Sequence, residues 1–123
     1  MFGELTMDSE ELKARTKAFA HRCVKVALAL PKTDLGRVIS RQLIRCSTST
    51  AANYRAVCLA QSTAAFISKI SIVLEECDDS AFWLEFIIDE LLLKAELVKP
   101  LLKESEELTS ILAASRKTAS GKK

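Results

Sequence analysis

Glycine occurs three times in 123 residues and proline twice, and no glycine lies between Gly36 and Gly121. All-β and α/β domains need many tight turns, which draw on those two residues. Their scarcity excludes both classes and leaves helices joined by a few short connections. Aromatic residues make up 6% of the chain against 49% hydrophobic residues overall, so any core is aliphatic. Long apolar runs are missing as well. The densest one, residues 82–93, is interrupted by Glu85, Asp89 and Glu90, whereas a membrane span needs about twenty apolar residues in succession. No two of the four cysteines form a C-x-x-C pair, and His21 is the single histidine. A zinc site needs closely spaced Cys and His ligands, so neither a metal nor a cofactor is expected. The N-terminus places acids before its first base, unlike a secretory signal, which makes a soluble cytoplasmic protein with reduced thiols the expectation. Cys23, Cys46, Cys58 and Cys77 then read as small buried hydrophobes.

What is present is helical periodicity. Leu12, Thr16, Phe19, Cys23, Val26 and Leu30 alternate steps of four and three, which predicts a helix over about 9–30, opened by Asp8 and stopped before Pro31. Thr33 or Asp34 caps a second helix over 34–61, with Ile39, Leu43, Cys46, Thr50, Asn53, Val57 and Ala60 as its seam. Its middle, 46–52, has no large side chain, which reads as a place where another helix approaches closely. Asn53 is expected on the seam, hydrogen-bonded to a facing helix. Ser62 caps a third helix over 63–93, with Phe66, Ile70, Val73, Cys77, Ser80, Leu84, Ile87 and Leu91 inward. A fourth helix covers 96–116, with Pro100 in its first turn and Leu101, Leu108, Ile111 and Leu112 inward. Short connections make sequential helices antiparallel, so the expectation is an all-α, up-down-up-down four-helix bundle. It forms one domain, 1–116, followed by a disordered basic tail, 117–123. Ser47–Thr50 is the one nucleophile-rich stretch, but no acid or base stands at a supporting spacing. No catalytic residue, enzymatic activity or small-molecule substrate is therefore expected.

Two features exceed what a monomeric bundle needs. Residues 82–93 are apolar nearly all round the helix, although packing into one bundle requires only a stripe. Phe82, Trp83, Phe86, Ile88 and Leu92 are accordingly read as an interface between copies. The charge is also uneven: residues 1–60 hold ten Lys/Arg against five Asp/Glu, and residues 61–123 hold eight against eleven. Arg37, Arg41 and Arg45 recur every four residues, and Arg15, Arg22, Lys25 and Arg55 add to this basic half. Three readings stand: internal ion pairs, contact with a neighbouring copy's acidic helix, or phosphate binding.

The segments Arg15-Thr16-x-x-Phe19-Ala20, Leu30-Pro31, Gln42-Leu43-x-Arg45-x-Ser47-Thr48-Ser49-x-x-Ala52-Asn53-Tyr54, Phe66-x-x-Lys69-Ile70 and Trp83-Leu84-Glu85 carry a family likeness. Over roughly residues 10–112 the chain resembles the bacterial four-helix bundle proteins, also called intervening-sequence or S23-type ribosomal RNA-associated proteins. The resemblance implies a homopentameric ring without enzymatic activity. It extends to the accessory proteins of diversity-generating retroelements, pentamers that bind nucleic acid and a reverse transcriptase. The chain departs from the pattern at Thr50, where Ile is expected, at Arg55, where an acid is common, and at Glu75, where Lys is frequent. The functional expectation is a non-catalytic oligomer that binds RNA or a ribonucleoprotein through its basic face. The alternative is a protein–protein adaptor such as a reverse transcriptase accessory factor.

Overall fold

Short polar side chains set three of the four helix starts. In the computed structural model, which describes residues 8–121, α1 spans Ser9–Leu28, and Asp8 Oδ1 accepts the backbone N–H groups of Glu10 and Glu11. Helix α2 spans Asp34–Val57, with Thr33 Oγ1 accepting from the Gly36 N–H. Helix α3 spans Thr63–Asp89, with Ser62 Oγ accepting from the Ala65 N–H. Each cap satisfies an amide that has no acceptor within its own helix. Helix α4 spans Ala95–Ala119 and starts at Lys94 without a side-chain cap.

Each helix packs along its neighbour in sequence, α1 meets α4 along a lighter seam, and the diagonal pairs make no close backbone approach. This is the expected antiparallel four-helix bundle, and the described residues contain no strand. Leu12 and Phe19 of α1, Ile39 and Leu43 of α2, Ile70, Leu84 and Ile87 of α3, and Leu108 and Leu112 of α4 fill its centre. The small-residue stretch of α2 lets helices close in, for Cys46, Ser47 and Thr50 are fully buried. Here thiols meet hydroxyls across each consecutive seam. Cys23 faces Ser47, Ser80 Oγ lies 3.3 Å from Cys46 Sγ, and Thr109 Oγ1 lies 3.5 Å from Cys77 Sγ. Burial pushes all three thiols up from their ordinary pKa, Cys77 to about 11, so they are the inert core groups expected. Cys58 is half-buried.

Several boundaries differ from the periodicity reading. Helix α1 ends at Leu28, α2 at Val57 and α3 at Asp89, each earlier than expected. The end of α3 is a Schellman turn: the Leu92 N–H bonds to the Ile87 carbonyl and the Leu91 N–H to the Ile88 carbonyl. Leu91 has a φ of 56° and points outward, so it leaves the seam assigned to it. Helix α4 begins at Ala95 and runs on to Ala119, so 117–119 are helical rather than a disordered tail; Lys122 and Lys123 lie outside the described residues. Pro100 falls in the second turn of α4, not the first, at an exposed position. Asn53 is half-buried and donates to the Ser49 carbonyl and Ser49 Oγ one turn earlier, not to a facing helix; the core position belongs to Tyr54. Val26, Ala60 and Ile111 are only half-buried.

Candidate nucleic-acid interface

The i,i+4 spacing of Arg37, Arg41 and Arg45 puts them along the outer side of α2, where all three are exposed. Their environments differ. Arg45 reaches across to α3 and pairs with Glu76 at 3.2 Å. Arg37 pairs at 3.5 Å with Asp34, itself fully exposed. Arg41 and Arg55 make no ion pair among the described residues and project from α2. On α1, Arg15 points the other way. Its Nε and Nη2 donate to Glu104, and Nη2 also donates to Glu107, all at 2.7 Å, which closes the light α1–α4 seam. Those carboxylates hold the Arg15 guanidinium above its ordinary range. Arg22 and Lys25 are exposed on α1. Internal pairing therefore accounts for Arg15 and Arg45, and these two leave the set of free cations.

The structure replaces them with residues that periodicity passed over. A groove of about 860 Å³ runs between α1 and α2, floored by Ala14, Ala20, Val24, Thr48, Ala51 and Ala52. Small side chains on both helices, Ala14, Ala20, Ala51 and Ala52 among them, leave this space open. Lys13, Lys17, His21 and Arg55 rim it, with Glu10 the single acid. Lys13 pairs with Glu10 at 3.2 Å, whereas Lys17 and Arg55 make no ion pair among the described residues. Further along the same face, beside the α1–α2 connection, a notch of about 130 Å³ is lined by Lys32, Arg37, Ser40 and Arg41. The α1–α2 face thus carries cations along its length around two depressions, while Arg22 and Lys25 line neither. Lys13, Lys17 and Lys32 were legible only as scattered bases, since they belong to α1 and its exit and join the α2 arginines only after the helices pair.

Helix α3 bears the other candidate surface. Phe82 is 51% exposed, and Trp83, Phe86, Ile88 and Leu92 are half-buried. The rings of Phe82, Trp83 and Phe86 form one cluster with centroids 4.9–6.0 Å apart. Acids flank it, among them the exposed Asp79, Glu85 and Asp89. Among the described residues, no helix is long and apolar enough to cross a membrane, and no three His, Cys, Asp or Glu side chains are grouped to hold a metal.

The chain's similarities can be set beside this geometry. Residues 10–114 match the family model described as 23S rRNA-intervening sequence protein. A solved structure of a protein with unknown function from the S23 ribosomal protein family of Bacteroides thetaiotaomicron VPI-5482 superposes with a TM-score of 0.82. That protein is 32% identical, and the match covers 90% of this chain and 99% of the other. No curated protein matches.

Proposed function

The chain belongs to the 23S rRNA-intervening sequence protein family, and from that premise we propose that it is a non-catalytic, self-assembling protein that binds RNA through its α1–α2 face. The observation that carries this reading is the gathering of cations around the two depressions of the α1–α2 face. Lys17, Arg41 and Arg55 line them and make no ion pair among the described residues, whereas most acids lie on α3 and α4. A phosphate backbone neutralised by such cations binds with little regard to base identity. His21 is the one aromatic ring lining the groove, with no Phe, Tyr or Trp beside it, so recognition there rests mainly on backbone and shape. Buried thiols with raised pKa values offer no nucleophile, which favours binding over catalysis.

Assembly is assigned to α3. A half-exposed phenylalanine within an aromatic cluster is the kind of patch that a partner covers. A ring of five copies is the assembly that the family likeness favours. The α1–α2 face and the α3 patch are separate surfaces, so binding and assembly are separable functions. The test pairs two readouts on one variant, Arg37→Glu/Arg41→Glu/Arg55→Glu. Light scattering should still give the wild-type multiple of 13.6 kDa, while affinity for a structured RNA falls at least about a hundred-fold. Dissociation of the oligomer would assign these arginines to the subunit interface. Unchanged RNA affinity would leave them as a solvated face.

A further inference from the structure

We propose that the notch at the α1–α2 connection seats a terminal phosphate monoester of an RNA strand lying along the α1–α2 face. The inference rests on the RNA-binding reading above and names the group that its end would hold. Three observations carry it. The first is shape. The notch is a small open depression of about 130 Å³, of a size to take one phosphate group. It also ends the face. Leu30, Pro31 and Lys32 wall it where the chain turns into α2, and the Pro31 carbonyl packs so tightly on Gly36 that a Cβ there would collide with it. The notch thus lies at the end of the α1–α2 face, where a strand lying along the groove would place its end.

The second observation is charge. Lys32, Arg37 and Arg41 line the notch, and Asp34, paired to Arg37, is the adjacent acid, leaving a local balance of +2. A phosphate monoester carries about −1.5 to −2 at pH 7 with its second pKa near 6, whereas an internal diester carries a single charge. The third is donor chemistry. Ser40 adds a hydroxyl among the guanidinium and ammonium groups, and planar Arg forks suit phosphate oxygens bidentately. The N-terminus of α2 adds its dipole in the same sense.

The probes are a 12-nucleotide RNA bearing a 5′-phosphate, a 3′-phosphate or no terminal phosphate, and inorganic phosphate alone. Affinity should be about ten-fold higher for a phosphorylated end than for the unphosphorylated strand, the scale of one or two charge-assisted hydrogen bonds. That ratio should fall towards one in Lys32→Gln/Arg41→Gln, and also below about pH 6, as the monoester loses its second charge. Inorganic phosphate should shift the backbone amide resonances of Ser40 and Arg41 in the wild type and not in the double variant. Equal affinity for all three strands overturns the inference while leaving RNA binding intact. Phosphate-dependent shifts at Ser40 would uphold the seat even if no strand were held, and that outcome would instead sink the RNA reading. No shift at Ser40 or Arg41 with millimolar phosphate also overturns it.

Discussion

Arg15 shows how a single side chain can change roles between a sequence and a fold. Its guanidinium donates to Glu104 and Glu107 across the light α1–α4 seam, and it is only 27% exposed there. Hydrogen bonds to charged partners are worth about 1.5–3 kcal/mol when sheltered, and partial exposure brings this pair towards 1–2 kcal/mol. Arg15→Gln should therefore lower the melting temperature by several degrees, on the order of 4 °C per kcal/mol, with RNA affinity little altered. An unchanged melting curve with lost RNA binding would return Arg15 to the binding face. The thiols give a second expectation. Burial raises the pKa of Cys23, Cys46 and Cys77 above the unfolded value of about 8.5, so the folded state keeps protons that the unfolded state loses. An acid shifted upward stabilises fully below its unfolded pKa and loses that contribution as pH rises through the folded one. Unfolding free energy should thus fall from about pH 8.5 upward, Cys77 spending its share by about pH 11. Thiol labelling of the native protein near pH 8 should modify the half-buried Cys58 first. Rapid modification of all four thiols would contradict this core.

At the scale of the helix, α3 ends where a leucine occupies the position that glycine ordinarily fills. Leu91 holds a φ of 56° in the Schellman turn and is 86% exposed, so its side chain gives little packing in return for the strain. Leu91→Gly should stabilise the protein by about 1 kcal/mol, read as a higher midpoint in urea. A lower midpoint would mean that Leu91 is covered by another copy. The same residue explains one limit of reading the sequence. Periodicity carried α3 on to residue 93 because Leu91 continues the four-three rhythm, and no glycine or proline marked the stop. Where a cap residue was written into the chain, at Asp8, Thr33 and Ser62, helix starts were legible to within a residue. The four helices and most core positions were legible because burial demands a repeat near 3.6 residues. The candidate site was legible only in part. Arg37, Arg41 and Arg55 were visible on α2, but Lys13, Lys17 and Lys32 needed the pairing of α1 with α2, and the loss of Arg15 and Arg45 to carboxylates needed α4 and α3.

On the scale of the whole molecule, three surfaces are distinct: a closed seam between α1 and α4, an aromatic patch on α3, and a basic, grooved face on α1–α2. Their separation matters to the proposal, because a patch used for assembly could not bind RNA at the same time. On the proposed reading, a chain of net charge +2 would hold a polyanion because the acids that offset its cations are largely on other faces. The salt dependence of RNA affinity reports on that arrangement most directly. If Lys17, Lys32, Arg37, Arg41 and Arg55 neutralise phosphates, the logarithm of the association constant should fall with the logarithm of salt with a slope of about −3.5 to −4.5. In Arg37→Glu/Arg41→Glu/Arg55→Glu the slope should shrink to about −1 to −2, with the oligomer unchanged. A slope near zero in the wild type, or the same steep slope in the variant, would contradict RNA binding through the α1–α2 face.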